Sequence, residues 1–300
     1  MRVGYLGPTG THSHVAAKQF KQMLRQHNTA DSVALFPMAT FTQLLHDVEA
    51  QAIELACVPI ENALEGSVNE VIDNLALYRD ELAIVGDFVI PIRHALIRTV
   101  SARDGIQFIH SHPHVWNQCR QTIYDLLGHD VTYISTSSSA EAIRALNAQD
   151  ASHAALGTLE AAEHHGLDIV MEDCSAHNKN ATRFLLIAHK DTNPLADWAI
   201  DTLPRKTSYC FAFREDEAGI LIKGLKVLAD ANLNMTKIES RPTKQALGAY
   251  MFLVDVEGDV PQAVEAEFKT HCSFLKILGR YPVFGLIEAP TPSTTQPAHH

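Results

Sequence analysis

Residues 180–184, Asn-Ala-Thr-Arg-Phe, bring an amide, a hydroxyl and a guanidinium together directly before the apolar run at residues 185–188. The apolar run predicts a buried strand, and strand ends are where α/β proteins commonly hold ligands. Arg183 offers a permanent positive charge with donors arranged for a carboxylate, and the Thr182 hydroxyl can donate and accept a hydrogen bond. The segment therefore predicts a site for a small anion, although local hydrogen bonds at the start of a strand would use the same residues.

Three other segments carry glycine, hydroxyl or amide groups where a predicted strand meets a predicted helix. Residues 7–13, Gly-Pro-Thr-Gly-Thr-His-Ser, precede the first helix, where glycine lets the backbone approach a ligand and free N–H groups attract an anion. Residues 59–68 and residues 135–141 are the other two, and the last has the spacing of a capping box. Each alone is an ordinary helix start. Together with Thr182 and Arg183 they predict a cleft for a small molecule with more than one carboxylate.

The composition bounds the class of protein. Three hundred residues with 46% hydrophobic and 20% charged content predict about two globular domains. The net charge of −11 argues against a nucleic-acid partner, so local groups must attract an anionic ligand. No apolar stretch reaches the ~20 residues of a membrane helix, and the first residues lack the pattern of a signal peptide. Five scattered cysteines, with no CxxC pair, predict reduced thiols and a cytoplasmic location.

Histidine is abundant but does not form a metal-binding pattern. The 17 histidines include three close pairs, His12/His14, His112/His114 and His164/His165. Metal sites usually combine such pairs with cysteine or carboxylate ligands at fixed spacing. The sequence shows no such set beside these pairs, so no metal is predicted.

Short apolar runs alternate with amphipathic stretches through residues 1–190, and this alternation predicts an α/β fold. Two blocks of the pattern predict two lobes with a cleft between them. Lobe one is expected to comprise residues 1–80 and 170–190, and lobe two residues 81–169. The chain would then pass from lobe one to lobe two near residue 80 and return to lobe one near residue 170.

The remaining third of the chain follows a different pattern. Residues 191–205 contain two prolines and interrupt the alternation, which predicts a linker. Residues 206–286 are predicted to run strand, helix, strand, strand, helix, strand, which is the ferredoxin-like α+β order. Residues 287–300, rich in proline and threonine, are predicted to be a disordered tail.

These segments, in order, resemble prephenate dehydratase over nearly the whole chain. The matching segments are Gly7-Pro8-x-Gly10-Thr11-x-Ser13, Val58-Pro59-Ile60-Glu61-Asn62, Glu65-Gly66-Ser67-Val68, His112-Pro113 with Gln118-Cys119, Ser139-Ala140-Glu141-Ala142, Asn180-x-Thr182-Arg183-Phe184, Lys237-Ile238-Glu239-Ser240-Arg241-Pro242 and Leu278-Gly279-x-Tyr281-Pro282. No single segment is specific, but the combination is.

The resemblance implies a bilobal catalytic domain like the type II periplasmic binding proteins, followed by an ACT regulatory domain. It implies the decarboxylating dehydration of prephenate to phenylpyruvate in phenylalanine biosynthesis, a lyase reaction that uses no cofactor. It also implies feedback inhibition by phenylalanine and a homodimer or homotetramer.

The resemblance also suggests roles for residues. Thr182 is expected to hydrogen-bond the departing hydroxyl, and Arg183 to anchor a carboxylate or orient Thr182. Glu61 and Glu65 are weaker candidates for the proton donor. The residues expected to contact substrate are Gly10, Thr11, Ser13, Asn62, Glu65, Ser67, Ser138, Ser139, Ala140 and Phe184. The residues expected to hold phenylalanine are Gly219, Ile220, Leu221, Asn234, Glu239, Ser240, Arg241 and Pro242.

Two other interpretations remain open from the sequence. An arogenate dehydratase would perform the same chemistry on the amine, and only kinetics on both substrates separates the two enzymes. A non-catalytic amino-acid sensor would combine a binding-protein-like lobe pair with a ligand-binding ACT domain. The pairing of Thr182 with Arg183 favours an enzyme over a sensor.

Overall fold

The computed structural model describes residues 1–26, 33–99, 105–146, 150–176, 180–196, 202–214, 218–244 and 248–287. The predicted tail beyond residue 287 and part of the predicted linker therefore lie outside the described residues. Among the described helices, none is long and apolar enough to cross a membrane.

The described elements alternate strands and helices through most of the chain, as the pattern predicts. In chain order they are β1 (Arg2–Leu6), α1 (His12–Gln26), β2 (Ala34–Met38), α2 (Phe41–Glu49), β3 (Leu55–Asn62), β4 (Gly66–Ser67), α3 (Asn69–Asp73), β5 (Leu82–Pro91), β6 (Ala95–Arg98), β7 (Phe108–Ser111), α4 (Pro113–Leu127), β8 (Thr132–Ser135), α5 (Ser139–Ala145), β9 (His153–Gly157), α6 (Leu159–His165), β10 (Asp168–Met171), β11 (Ala181–His189), β12 (Arg205–Phe213), α7 (Ile220–Asp230), β13 (Met235–Pro242), β14 (Tyr250–Glu257), α8 (Gln262–His271) and β15 (Cys272–Leu286).

Two sheets organise these strands. The larger has the order β13-β14-β12-β15-β5-β11-β3-β1-β2, with β4 paired to β3, and the smaller has the order β10-β6-β9-β7-β8. In the larger sheet, β1 pairs in parallel with β2 and β3, while β11 lies antiparallel between β3 and β5. We call β1–β5 and β11 with their helices lobe one, β6–β10 with α4–α6 lobe two, and β12–β15 with α7 and α8 the C-terminal unit.

The structure corrects the predicted boundary between the lobes. The sequence places the first crossing near residue 80, but Leu82–Pro91 pairs along its whole length with β11 in the sheet of lobe one. The chain therefore crosses to lobe two only after Pro91. It returns after Met171, because β10 pairs with β6 of the smaller sheet.

The C-terminal unit continues the sheet of lobe one. Its described elements follow the predicted strand, helix, strand, strand, helix, strand order. The end of β15 pairs in parallel with β5, where Val283 faces Asp87 and Leu286 faces Val89. Buried side chains of both parts form one hydrophobic cluster, so the two share a core.

Three local features depart from the sequence prediction. Pro59 follows the apolar run at residues 55–58 and is expected to end that strand, but β3 continues to Asn62. The apolar spacing of residues 66–78 predicts one helix, but this segment contains the short strand β4, the helix α3 and a wider helical turn at Asn74–Tyr78. Helix α6, which Thr158 caps by accepting a hydrogen bond from Ala161, was not predicted.

Candidate active site

A cavity of about 290 Å³ opens between the two lobes. Lobe one contributes the start of α1, the β3–β4 turn and the first residues of β11, and lobe two contributes the start of α4. The residues that line it are His12, Ser13, Pro59, Asn62, Glu65, Val68, Ile92, His94, His112, His114, Val115, Gln118, Asn180, Thr182 and Phe184. Five predicted substrate residues are among them: Ser13, Asn62, Glu65, Thr182 and Phe184.

The alternation of strand β11 decides which of its residues reach this cavity. Successive side chains of a strand point to opposite faces, so Thr182 and Phe184 line the cavity and Arg183 points away. The pairing of β11 with β3 shifts register between Arg183, which pairs with Glu61, and Phe184, which pairs with Pro59. Such a bulge re-aims side chains and is common beside active sites.

The hydrogen bonds of Asn62 fix the direction in which Thr182 can donate. The Asn62 Oδ1 accepts from the backbone N–H groups of Leu64 at 2.9 Å and Glu65 at 3.0 Å, so this amide cannot be reversed. Its Nδ2 donates to Thr182 Oγ1 at 2.8 Å and to Asn180 Oδ1 at 2.9 Å. Because the Thr182 oxygen accepts from Asn62, its own hydrogen is available to a ligand.

Two further amides extend this chain into lobe two. Asn180 Nδ2 donates to Gln118 Oε1 at 2.9 Å, and Gln118 Nε2 donates to Glu65 Oε1 at 2.9 Å. The chain thus runs from Thr182 across the cleft and back to Glu65 on lobe one. Gln118 and Asn180 were matched to the family segments but not predicted as site residues. Their side-chain amides, which can both donate and accept hydrogen bonds, could have indicated a role in the site.

Two histidines of the cavity wall, the buried His94 and the partly buried His12, favour the neutral form. Burial lowers the pKa of His94 to about 3, helped by the neighbouring His12, although its bond to Gln118 opposes the shift. Burial also lowers the pKa of His12, whose Nε2 contacts the carbonyl of Arg93 at 3.2 Å. A neutral His94 donates from Nε2 to Gln118 Oε1 at 3.2 Å, which supports the amide chain.

The outer rim contains the exposed titratable groups. His112 caps α4 by accepting from the backbone N–H of His114. The His114 Nδ1 lies 3.6 Å from Glu65 Oε1, and its side chain is 67% exposed. An imidazole and a carboxylate therefore face each other across the cavity mouth, one from each lobe.

The cavity attracts an anion through the starts of helices and not, within the described residues, through a cationic lysine or arginine side chain. None of the described residues that line it is a lysine or an arginine. The fifteen-residue helices α1 and α4 both begin at its wall, with His12 and Ser13 on one side and His112 and His114 on the other. Free N–H groups and the dipole at a helix start favour an anion.

Arg183 is the main correction to the predicted site. Its Nε donates to Asp87 at 2.7 Å, a second guanidinium nitrogen contacts Asp255, and a third donates to Tyr281 Oη at 3.0 Å. Burial opposes its charge, but Asp255, Tyr281 and Asp87 raise the pKa of Arg183 overall. The guanidinium joins lobe one to the C-terminal unit, so it does not anchor a ligand carboxylate in the cavity; its other expected role, to orient Thr182, stays a prediction.

Several predicted substrate residues shape neighbouring loops instead of lining the cavity. The Thr11 hydroxyl contacts the carbonyls of Leu6 and Pro8, and the Gly10 carbonyl accepts from Thr158 Oγ1 at 2.7 Å. Gly10 has φ of +90° and approaches Ala161 closely, so it joins the two lobes.

The hydroxyl-rich turn before α5 also lies away from the cavity. Ser138 caps α5 by accepting from the backbone N–H of Glu141, and Ser139 is the first residue of that helix. Ala140 lines a separate groove of about 540 Å³ together with residues 7–9 and the end of β2. The structure therefore does not bring Ser138, Ser139 and Ala140 to Thr182.

Two polar residues of the β3–β4 turn face the C-terminal unit. Ser67 contacts Glu239 and Lys237, and Glu61 lies 3.2 Å from Lys237. Neither residue lines the cavity, so the predictions of Ser67 as a substrate contact and Glu61 as a proton donor are not supported by their positions.

The predicted phenylalanine residues divide into two groups. Gly219, with φ of +87°, caps α7, and Ile220 and Leu221 begin that helix. Asn234 donates to Glu257 at 3.0 Å. The remaining four lie on β13, where Glu239 and Arg241 face lobe one, and Ser240 and Pro242 are exposed.

One group of potential metal ligands occurs among the described residues. Donor atoms of Glu81, His189 and Asp191 lie within 4.8 Å of one another, outside the cavity. Lys190 already pairs with Glu81 at 2.8 Å, which opposes a cation there. The group carries no metal assignment.

Comparison with known proteins gives a consistent family. The prephenate dehydratase family profile matches residues 3–192. Prephenate dehydratase of Methanocaldococcus jannaschii is 34% identical over 284 residues, which cover 93% of this chain and 97% of that protein. The crystal structure of prephenate dehydratase from Arthrobacter aurescens in complex with L-Phe has a TM-score of 0.79 and 29% identity, covering 94% of this chain and 90% of that one.

A second solved structure carries a different description. GqqA, described as a novel type of quorum quenching acylase, has a TM-score of 0.78 and 27% identity, covering 94% of this chain and 98% of that one. The same fold is thus associated with two named activities.

Proposed function

The chain belongs to the prephenate dehydratase family, and we propose that its interlobe cavity converts prephenate to phenylpyruvate. Prephenate carries two carboxylates and a ring hydroxyl. The bond from the ring to one carboxylate breaks and releases carbon dioxide, while its electron pair enters the ring. The hydroxyl leaves with one added proton as water, and the ring becomes aromatic. The protein must orient the dianion, assist departure of the oxygen and exclude water.

The observation that carries the proposal is the directed hydrogen of Thr182. With its oxygen engaged by Asn62, the hydroxyl of Thr182 donates to the departing oxygen of the substrate. A threonine is too weak an acid to act alone, so this bond stabilises charge as it develops. His112, His114 and Glu65 are the cavity groups that can carry the proton which completes water.

The substrate carboxylates are held without a fixed cationic side chain. The starts of α1 and α4 face the cavity from the two lobes and attract anions. Ser13 supplies a neutral donor on the first helix, and Gln118 lies on the second. Phe184, Ile92 and Val115 supply an apolar surface for the ring.

We assign the C-terminal unit to an ACT domain through which phenylalanine inhibits the enzyme. Its order of strands and helices supports this assignment, as does the L-Phe complex of the Arthrobacter aurescens relative. The left-handed Gly219 lets an amino acid approach the start of α7 closely. We place the effector between this turn and the exposed residues Ser240 and Pro242, in a homodimer or homotetramer.

The further assignments follow from the same resemblance. We assign lobes one and two to a catalytic domain of the type II periplasmic-binding-protein class. The cytoplasmic location and the absence of a cofactor stay sequence predictions.

An acylase function requires a different site. A nucleophilic threonine needs an adjacent base, whereas the hydroxyl of Thr182 contacts the side-chain amide of Asn62. This contact favours the dehydratase. Arogenate remains the alternative substrate, since its ring carries the same leaving groups.

The test is phenylpyruvate formation from prephenate by the purified chain, alongside Thr182→Ala, Thr182→Ser and the control Thr132→Ala. Thr132 is an exposed residue of β8. We expect Thr182→Ala to lower kcat on the order of 10²-fold, Thr182→Ser to recover much of it, and Thr132→Ala to match the parent.

Each result has a clear reading. Turnover that phenylalanine suppresses supports both domain assignments. Equal turnover of Thr182→Ala and the parent contradicts the assigned role. No turnover of prephenate or arogenate by the parent contradicts the proposed function.

A further inference from the structure

The turn between β3 and β4 presents opposite faces to the cavity and to the C-terminal unit. We define the cleft hairpin as residues 61–67, in which Glu61 pairs with Ser67 and Asn62 pairs with Gly66. Asn62 and Glu65 line the cavity, while Glu61 and Ser67 contact strand β13. A movement of this hairpin would therefore change both the wall of the cavity and the contact with strand β13.

Lys237 is the centre of the contact on the outer face. Its Nζ lies 2.9 Å from Ser67 Oγ, 3.2 Å from Glu61 Oε2 and 3.2 Å from Glu239 Oε2. An ammonium group has three N–H donors, and here all three have acceptors. The Ser67 hydroxyl also donates to Glu239 at 2.5 Å, so Ser67, Lys237 and Glu239 all contact one another.

The contact is partly sheltered from water. The Lys237 side chain is 11% exposed and that of Glu239 is 19% exposed, so this pair is weakly screened, whereas the Glu61 side chain is 42% exposed and its pair with Lys237 is screened more strongly. Without the lysine, the carboxylates of Glu61 and Glu239 would face each other and repel. The lysine therefore offsets this repulsion and stabilises the contact of the cleft hairpin with β13, beside the direct hydrogen bond from Ser67 to Glu239.

Strand β13 reaches lobe one through side chains. It lies at the edge of the larger sheet, and its recorded strand partner is β14. Further along it, Arg241 pairs with Asp73 at 3.0 Å. Lys237 and Glu239 are thus the residues of β13 with recorded side-chain contacts to the cleft hairpin in the described part of the chain, and Lys237 is the one that contacts both Glu61 and Ser67.

We propose that Lys237 is a positioning residue for the reaction, which holds the cleft hairpin so that Asn62 and Glu65 keep their places in the cavity. The inference rests on the proposed function. Because β13 also carries Ser240 and Pro242, a ligand that displaces this strand would move the cleft hairpin through Lys237. Loss of the lysine should then weaken both turnover and inhibition by phenylalanine.

A matched control exists at another contact between the same two parts. Lys276 of β15 donates to the carbonyls of Leu75 and Arg79 at 2.8 and 3.0 Å and to Asp80 at 2.7 Å. It also has three acceptors and is largely buried, but its partners do not line the cavity. Lys276→Met therefore reports the effect of loosening the two parts alone.

The experiment measures kcat, KM for prephenate, the phenylalanine concentration for half-inhibition and the melting temperature of Lys237→Met, Lys237→Arg and Lys276→Met. We expect Lys237→Met to lower kcat and to raise the half-inhibiting concentration, each by at least about fivefold. Lys237→Arg should recover much of both. Lys276→Met should change neither by more than about twofold, even where its melting temperature falls.

Equal effects of Lys237→Met and Lys276→Met would overturn the inference, because contact between the parts would then suffice. Parent-like kinetics in Lys237→Met would overturn it as well. Both outcomes require an active parent, so they are distinct from failure of the proposed function, which shows as an inactive parent.

Discussion

At the scale of single residues, the direction of one hydrogen bond carries the proposed chemistry. The amide of Asn62 accepts two backbone N–H groups and must therefore donate toward Thr182. The hydroxyl of Thr182 can therefore donate a hydrogen bond to the substrate instead of only accepting one. The arrangement makes the orientation of Asn62 as important as the presence of Thr182.

Asn62→Asp tests that orientation with almost no change in shape. The aspartate keeps an oxygen for the backbone N–H groups of Leu64 and Glu65, but it cannot donate to Thr182, and it adds a negative charge beside a dianion. We expect kcat to fall on the order of 10²-fold. Asn69→Asp, an exposed change nearby at the start of α3, should leave kcat unchanged. Retained turnover in Asn62→Asp would show that Thr182 does not need this donor.

The buried His94 predicts a dependence of stability on pH. Its pKa is lowered to about 3 in the folded state, mainly by burial, whereas an unfolded histidine titrates near 6.5. The unfolded chain therefore binds more protons below pH ~6.5, and the free energy of unfolding falls as the pH falls.

We expect His94→Gln to reduce the slope of unfolding free energy against pH between about 6 and 4 by up to ~1.4 kcal/mol per pH unit. The measurement is denaturant unfolding at several pH values. His46→Gln, an exposed position on α2, is the control. A slope in His94→Gln equal to that of the parent would mean that His94 is protonated alike in both states.

The sequence was informative about Thr182 and misleading about Arg183, for one physical reason. Residue types showed that both could bind an anion, but a strand turns adjacent side chains to opposite faces. Side chains alternate between the two faces of a strand with a period of two. Once a strand was predicted over residues 180–188, this alternation could have placed Thr182 and Arg183 on opposite faces. The partners Asp87 and Asp255 could not be predicted, because they come from strands far away in the chain.

At the scale of elements, strand β15 joins the two parts of the larger sheet by a close approach of backbones. Gly279 sits where a Cβ atom would come within 2.2 Å of the carbonyl oxygen of Ile84 on β5. A backbone atom cannot move aside as a flexible side chain can. Glycine is therefore required at this position by the packing of β15 on β5.

Gly279→Ala should loosen this junction. We expect the free energy of unfolding to fall by about 1–3 kcal/mol or more, because overpacking against a fixed carbonyl displaces the strand. Ile277→Ala, at a position of β15 with a 40% exposed side chain, should cost less than about 1 kcal/mol. Chemical unfolding followed by circular dichroism gives both values. A neutral Gly279→Ala would mean that β15 and β5 do not pack this closely in solution.

Most of the individual elements followed from local pattern, but their pairing did not. Thr40 directly precedes the amphipathic stretch at residues 41–49, which predicts a helix cap, and it accepts from the backbone N–H of Gln43 at the start of α2. The crossing between lobes was placed too early because the apolar run at residues 82–90 fits a strand of either sheet. The junction of β15 with β5 joins residues about 200 positions apart, and no local periodicity encodes such a contact.

At the scale of the whole molecule, a buried group of charges links Thr182 to the C-terminal unit. Arg183 and Lys206 supply two positive charges, and Asp87 and Asp255 supply two negative ones. Asp255 also accepts from Ser208 at 2.5 Å. Because Arg183 follows Thr182 in the same strand, we expect its anchoring to help fix the position of Thr182.

Asp255→Asn removes one of the two negative charges and leaves Arg183 and Lys206 to share Asp87. Breaking one side of a buried charge pair typically costs about 3–5 kcal/mol, and we expect a loss of that size in the free energy of unfolding. We also expect kcat to fall more than KM rises, because the position of Thr182 matters in the transition state. Asp259→Asn removes an exposed ion pair with Arg205 in the same unit and should cost at most about 1 kcal/mol. If Asp255→Asn loses stability but keeps the kcat of the parent, the C-terminal unit supports the fold without setting the position of Thr182.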